Sequence, residues 1–191
     1  MSSPATRERL QACALRLFTE RGFDAVSVRE IATAADVSHM TFFRHFGTKE
    51  AVVFDDPYDP LLVAAVHGQP RDLPPLERVR RAVLAAWSQL PEPTDAQTRA
   101  RVRLIAGHPR LRAAMVQSNE ATLDALAAAL VADGADRFAA RVAVAACLGA
   151  LTTALLDWGA DEAGQPLGAR VRAALEVLRP ADPAPETVPA R

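Results

Sequence analysis

Residues 27–50 read SVREIATAADVSHMTFFRHFGTKE and carry two helix-start signals that are separated by a short turn. Ser27 and Glu30 have the Ser-x-x-Glu spacing of a capping box, in which each side chain satisfies a backbone N–H of the other residue. Ser38 is a second N-cap residue, and the helix that it starts is expected to end at Gly47. The stretch therefore predicts one helix from Ser27 to about residue 35 and another over about residues 39–46.

Asp36-Val37-Ser38 joins these two helices, and the layout is that of a helix-turn-helix, in which the second helix enters the major groove of DNA. Phe42 and Phe46 lie four residues apart, so we expect both rings to pack inward. The outward face then carries groups able to touch base edges: His39, Met40, Phe43 and Arg44. Candidates for phosphate contacts are Thr41, His45, Lys49 and Arg29, and Ser38 completes the predicted DNA-binding set.

Periodicity alone also fits a plain helical hairpin with a solvated face, and the residue identities favour the DNA-binding interpretation. The stretch from Ser27 to Ser38, followed by Thr41 to Glu50, closely resembles the DNA-binding domain of the tetracycline-repressor (TetR) family. The first helix, which ends Glu20-Arg21-Gly22-Phe23, also resembles the start of that domain. The resemblance covers about residues 6–54. It implies backbone contacts by Thr41, His45 and Lys49, and base reading by His39, Met40 and Arg44.

The chain departs from the family pattern at two positions. Asp36 stands in the turn where the family usually has Gly, and because Asp tolerates the left-handed conformation better than most residues, we expect the turn to be kept. Phe43 stands where the family often has Tyr. A phenyl ring cannot donate a hydrogen bond to a phosphate, so we expect Phe43 to contact a thymine methyl group instead.

Helical spacing and breaker residues extend the prediction to the rest of the chain. A first helix is expected over residues 6–21, and a fourth begins at Thr48 and runs over about 49–56 until Pro57 stops it. Further helices are predicted at about 75–90, 95–107, 109–132, 136–159 and 167–178. Because no stretch alternates with period two, we predict an all-α fold without a sheet.

The predicted fold is an N-terminal three-helix helix-turn-helix domain followed by a C-terminal helical bundle for ligand binding and dimerisation. The expected boundaries are 1–54 for the DNA-binding domain, 55–179 for the bundle and 180–191 for a disordered Pro-rich tail.

Composition bounds the class of protein. The chain has 191 residues and a formal net charge of −1, so any positive surface that binds DNA must be local. Its two cysteines, Cys13 and Cys147, form no disulfide framework and indicate a reducing compartment. We expect a cytoplasmic protein without membrane contact, because no signal peptide is apparent and no apolar run approaches the roughly 20 residues of a membrane span.

The sequence favours neither an enzyme nor a cofactor protein. It has no G-x-G-x-x-G, G-x-x-x-x-G-K-[ST], G-x-S-x-G or H-E-x-x-H motif. The four histidines do not stand at metal-ligand spacing with a cysteine, so we expect no metal site. Asp157 is a lone carboxylate, for which capping or a salt bridge is the simpler interpretation.

Two stripes of small and apolar residues are candidates for a subunit interface. One runs along the helix at about 136–159 and the other along the last helix: Val142, Ala145, Ala146, Gly149, Thr153 and Leu156, then Val171, Ala174, Leu175 and Leu178. Resemblance to the family implies that these helices build a homodimer. Core packing within one chain remains the alternative. A two-fold operator favours the dimer, since it needs two recognition helices roughly 34–36 Å apart.

The family resemblance places an effector pocket among the helices at about 75–132. Its candidate lining is Trp87, Leu104, Met115, Ser118, Asn119 and Thr122, although core packing explains each residue equally simply. With few aromatic residues, the pocket is expected to be an aliphatic cavity.

Five arginines around His108 suggest an anionic ligand such as an acyl-CoA, with a solvated helix face as the alternative: Arg99, Arg101, Arg103, Arg110 and Arg112. The function predicted from all these features is a ligand-responsive repressor that binds a palindromic operator in double-stranded DNA. A DNA-binding regulator without a ligand and an all-α small-molecule binding module remain the alternatives.

Overall fold

The computed structural model describes residues 4–54, 59–89, 96–161 and 165–179. Within these ranges the chain is helical and has no strand, as predicted. The α-helices are α1 Pro4–Arg21, α2 Val28–Ala34, α3 His39–Phe46, α4 Asp59–His67, α5 Pro75–Ser88, α6 Ala96–Gly107, α7 Pro109–Ala132, α8 Arg137–Ala160 and α9 Leu167–Val177. The predicted tail at 180–191 lies outside the described residues, as does Pro57.

The local signals of the first three helices act as the sequence indicates. Gly22 ends α1 with a φ of +84°, and the ring of Phe23 folds back to lie 4.9 Å from that of Phe18. Both hydrogen bonds of the capping box form at α2: the Glu30 N–H donates to the Ser27 hydroxyl at 3.2 Å, and the Ser27 N–H donates to the Glu30 carboxylate at 2.8 Å. These signals fix where α1 ends and where α2, the first helix of the predicted helix-turn-helix, begins.

The predicted fourth helix over 49–56 is wrong. Among the described residues, the chain after α3 forms a single 3₁₀ turn at Ala51–Val53, whose Ala51 N–H donates to the Thr48 hydroxyl at 3.1 Å. A separate helix, α4, begins at Asp59. Pro60 is therefore in a first helical turn, where its missing N–H is not needed. The Thr48 hydroxyl caps this segment as predicted, but the 3₁₀ turn that it caps ends at Val53.

Two hydrophobic clusters organise the fold. One joins α1, α2, α3 and the 3₁₀ turn, and it also includes Ile105 of α6 and Leu111 of α7. The other surrounds α8, which packs against α5, α6, α7 and α9. Because Ile105 and Leu111 are buried within the N-terminal cluster, the helix-turn-helix rests directly on the junction between α6 and α7.

Helix α8 is long and apolar enough to cross a membrane by length and composition, with a mean hydropathy of 1.8, which departs from the expectation that no apolar run approaches that length. Its contacts with four other helices give it the place of a core helix. Ala143, Val144 and Cys147 are buried on its inner face. Hydropathy alone therefore does not separate this helix from a membrane span, whereas its packing explains its composition.

The two small-residue stripes have different surroundings. On α9, Val171 and Leu175 are fully buried against the C-terminal core, so the core interpretation holds for that stripe and the interface prediction for it is wrong. On α8, Val142 is 51% exposed, and Ala145, Gly149 and Thr153 are exposed on the same face. Leu156, at the end of the α8 stripe, turns inward instead.

Candidate functional site

Helix α3 is held in place by its cap, its turn and two buried rings. The Thr41 N–H donates to the Ser38 hydroxyl at 3.1 Å, which fixes the first turn. Asp36 adopts a φ of +51°, so the turn keeps the left-handed conformation that was expected for it. Phe42 and Phe46 are buried in the N-terminal core, as predicted. The outer face of the helix is consequently fixed relative to the domain.

That outer face consists of the predicted base-reading residues. Met40 is 65% exposed and Phe43 is 40% exposed, and both His39 and Arg44 are exposed beside them. The ring of His39 packs edge-on against Phe43 with centroids 5.7 Å apart. Arg44 forms no ion pair with another residue in the part of the chain that the structure describes. A cation, an imidazole and two apolar groups therefore face outward together, which is a set able to touch base edges.

The predicted phosphate-contacting residues have varied surroundings. Arg29 is exposed near the start of α2, which suits a phosphate contact. The hydroxyls of Ser38 and Thr41 lie 2.9 Å apart and are hydrogen-bonded to each other. His45 is half-buried, and its carbonyl accepts a hydrogen bond from Arg7 at 2.8 Å. Contact of these groups with DNA stays a prediction.

Lys49 has an internal role that the sequence did not indicate. Its Nζ donates to the Phe23 carbonyl oxygen at 2.6 Å and lies 4.1 Å from the centroid of the Phe23 ring. Burial lowers the pKa of the Lys49 ammonium group. In this conformation the side chain joins the end of α3 to the end of α1. Contact with a phosphate therefore requires its remaining N–H donors or a turn of the side chain away from Phe23.

A cavity of about 190 Å³ lies between the 3₁₀ turn, α4, α6, α7 and α8. It includes four of the predicted pocket residues: Met115, Ser118, Asn119 and Thr122. The rest of its lining is Val53, Phe54, Leu62, Arg101, Val102, Ile105, Leu148, Leu151, Thr152, Leu155 and Leu156. The cavity is thus mostly aliphatic, as the scarcity of aromatic residues predicted.

Two predicted lining residues lie elsewhere, and the contribution of α8 to the cavity lining was not predicted. Trp87 packs against the C-terminal core and Leu104 against the N-terminal core, so neither lines the cavity. Helix α8 contributes five lining residues, namely Leu148, Leu151, Thr152, Leu155 and Leu156. The Thr152 hydroxyl accepts a hydrogen bond from the Asn119 amide at 3.2 Å. The signal was present in the sequence, because leucines at 148, 151 and 155 have helical spacing.

The predicted cluster of five arginines does not form. Arg99 donates to the Trp158 carbonyl and Arg103 to the Gly159 carbonyl, each at 3.0 Å, so both satisfy the C-terminal end of α8. Arg112 donates to the Ala106 carbonyl. Arg110 donates to the Glu50 carboxylate at 2.9 Å. Only Arg101 among the five lines the cavity, because it projects from a different face of α6 than Arg99 and Arg103.

Polar contacts join the helix-turn-helix to the start of α7. His108 Nε2 lies 3.1 Å from the Asp24 carboxylate, and the imidazole packs edge-on against Phe23. This hydrogen bond, with the nearby charges, lowers the pKa of Asp24. Arg110 adds its bond to Glu50 at the same junction. An open groove of about 570 Å³ runs beside it, and Phe54 and Ser118 line both the groove and the smaller cavity.

Comparison with known proteins agrees with this architecture. Residues 12–55 match the family profile described as bacterial regulatory proteins of the tetR family, and residues 73–183 match that of the MftR C-terminal domain. The regulator TcmR of Streptomyces glaucescens is 31% identical over 188 residues, which span 92% of this chain and 83% of TcmR.

Two solved structures have a similar fold. Thermus thermophilus FadR, in complex with lauroyl-CoA, aligns over 94% of this chain and 97% of its own with a TM-score of 0.50 and 25% identity. The triclosan complex of SmeT, the Stenotrophomonas maltophilia repressor, aligns over 91% and 90% with a TM-score of 0.59 and 19% identity. With a profile that covers more than half of its length and a relative that matches nearly all of it, the chain belongs to the TetR family of helix-turn-helix transcriptional regulators.

Proposed function

We propose that this chain acts in the cytoplasm as a homodimeric repressor, which a small-molecule effector in the cavity releases from a palindromic operator. One observation carries the proposal. Val53, the last residue of the 3₁₀ turn that follows α3, and Phe54 after it are themselves part of the cavity wall. A ligand in the cavity is therefore in direct contact with the segment that ends the DNA-binding domain.

Release of the operator requires two conformers of the protein that differ in their affinity for the effector. An effector shifts the equilibrium only by its differential affinity, so it must favour a conformer in which Val53 and Phe54 are displaced. The buried packing of Ile105 and Leu111 in the N-terminal core transmits that displacement to the whole domain. Two reading helices whose separation departs from one helical turn of DNA then no longer bind both half-sites.

The exposed face of α8 supports the homodimer. Phe138 is 78% exposed, and it stands in line with Val142, Ala145, Gly149 and Thr153 along one side of the helix. Small residues allow two helices to approach closely, and an apolar face of this length is unusual on an isolated monomer. Light scattering is expected to give a dimer for the wild type and a monomer for Gly149→Glu. A dimeric Gly149→Glu protein would place the interface elsewhere.

The relatives support the effector part of the proposal by analogy. Thermus FadR is a repressor seen with lauroyl-CoA, and SmeT is a repressor seen with triclosan, so this fold accommodates aliphatic and aromatic ligands. TcmR and the other named relatives are transcriptional regulators, which supports a regulatory role rather than an enzymatic one.

The first experiment is salt-titrated binding of the protein to genomic DNA fragments, with Arg44→Ala and Lys49→Ala beside the wild type. We expect selective capture of one or a few fragments, loss of that selectivity with Arg44→Ala, and a uniform loss of affinity with Lys49→Ala. Arg141→Ala removes the same charge far from α3 and is the matched control. Binding of all fragments at one affinity would refute operator recognition.

The same assay separates the alternatives. Specific binding that no small molecule weakens would indicate a DNA-binding regulator without a ligand. Ligand binding without specific DNA binding would indicate an all-α small-molecule binding module. A melting curve for each variant shows whether a lost affinity reflects unfolding.

A further inference from the structure

We infer that the effector is a small anionic amphipath whose negatively charged head pairs with Arg101 while its short aliphatic body fills the cavity; the inference rests on the proposed function. Arg101 is half-buried on α6 and lines the cavity beside aliphatic side chains. No carboxylate lines the cavity in the described ranges, so the fixed charge of its wall is positive. A positive wall in an apolar site selects for a negative ligand group.

Arg101 differs from Arg99 and Arg103 because its guanidinium does not bond to the end of α8. Arg99 and Arg103, two residues away on either side, donate to backbone carbonyls at the end of α8. Arg101 makes no ion pair or hydrogen bond with any residue that the structure describes. A half-buried guanidinium beside an apolar wall, with no carboxylate partner among the described residues, is available to pair with a negative ligand group.

Polar groups in the same cavity wall extend the site. The Asn119 amide and the Thr152 hydroxyl are bonded to each other across α7 and α8, and Ser118 stands one residue before Asn119. These groups are able to orient a second oxygen of the ligand head. The leucines of α8 form the apolar part of the wall and suit a chain without further charge.

The size of the cavity limits the ligand. Its volume of about 190 Å³ lies below the roughly 300–1,000 Å³ of sites for drug-sized ligands. A free carboxylic acid of medium length fits such a space. A coenzyme A thioester has its negative charge in phosphates, so its acyl chain would fill the cavity, its nucleotide would stay outside, and Arg101 would pair with a phosphate at the cavity mouth. The shared chemistry is a negative head on an aliphatic chain.

Calorimetric titration with octanoate, 1-octanol, octylamine and octanoyl-CoA tests the inference on the full-length protein. We expect the wild type to bind octanoate or octanoyl-CoA about tenfold or more tightly than the uncharged alcohol, and not to bind the amine. Preference for octanoate identifies a free acid, and preference for octanoyl-CoA identifies a thioester. Equal affinity for 1-octanol, preference for octylamine, or no binding of any probe would overturn the inference.

Arg101→Met is the discriminating variant, because Met keeps the apolar length of the side chain and removes its charge. It is expected to lose about tenfold or more in affinity for the anionic probe and to bind 1-octanol as before. Arg103→Met removes a charge from the same helix outside the cavity and is expected to keep the wild-type affinity. An unchanged affinity of Arg101→Met for the anion would overturn the inference. Specific operator binding that persists in that case leaves the proposed DNA-binding function standing.

Discussion

Gly159 is the position at which a single methyl group should disturb both the fold and the cavity. It lies near the end of α8, where α8 approaches α6 closely. A Cβ built on Gly159 would stand 3.1 Å from the Cβ of Val102 and nearer still to Val102 Cγ1, whereas carbon atoms in ordinary contact are about 3.5–4.0 Å apart. The change Gly159→Ala therefore forces α8 and α6 apart or displaces Val102.

Two opposing effects set the change in the free energy of unfolding that Gly159→Ala causes. Overfilling a packed site costs about 1–3 kcal/mol, and Val102 has little freedom to avoid it because a β-branched residue in a helix prefers one rotamer. Replacing a helical glycine by alanine contributes about 0.5–1 kcal/mol in the opposite direction. We expect a net loss of roughly 1–2 kcal/mol, which lowers the melting temperature by about 4 °C for a chain of this size.

Thermal denaturation at one fixed protein concentration measures this effect. Gly107→Ala is the matched control, because its added Cβ would meet no atom within 4 Å, and it is expected to leave stability unchanged or slightly raise it. Val102→Ala in the Gly159→Ala background should recover part of the loss, which a double-mutant cycle quantifies. A Gly159→Ala protein as stable as Gly107→Ala, or a cycle without coupling, would refute the close-approach reasoning.

Three further predictions concern the turn, the recognition helix and an ion-pair group. Asp36→Gly relieves a left-handed non-glycine conformation and should raise stability by about 0.5–1 kcal/mol in thermal denaturation, while Asp36→Ala should lower it. Phe43→Tyr supplies a hydroxyl that can donate to a phosphate and should tighten operator binding about fivefold in an anisotropy assay, whereas equal affinity would show that no phosphate lies within reach. Bonds from Arg80 and Arg81 lower the pKa of Glu77 from 4.5 to about 2, so its contribution to stability is present above pH 4.5 and is lost as the pH falls towards 2. The difference in melting temperature between the wild type and Glu77→Gln should therefore shrink over that interval, and a constant difference would contradict the assignment.

The failures of prediction at the effector site share one physical cause. Of the pocket residues that the family resemblance suggested, Met115, Ser118, Asn119 and Thr122 line the cavity and share one face of a single helix. Closeness along the chain suggested a cluster of five arginines, whereas Arg101 lines the cavity and Arg99 donates to a carbonyl at the end of α8. A sequence indicates which residues share a face, but contact between helices depends on packing that a linear pattern does not contain.

The amino-acid sequence by itself determined the features that arise within a few residues along the chain. The caps at Ser27 and Ser38, the left-handed turn at Asp36 and the buried pair Phe42 and Phe46 each depend on neighbours within about one helical turn, so local chemistry suffices to predict them.

Only the tertiary structure decided what lies between helices. It placed the Lys49 ammonium group in a hydrogen bond with the carbonyl oxygen of Phe23, 26 positions earlier in the chain. It also brought Val53, Phe54 and the positively charged Arg101 together in the cavity wall. Each of these contacts joins residues far apart in the chain, and its geometry follows from how whole helices bury their apolar faces against one another rather than from any local preference.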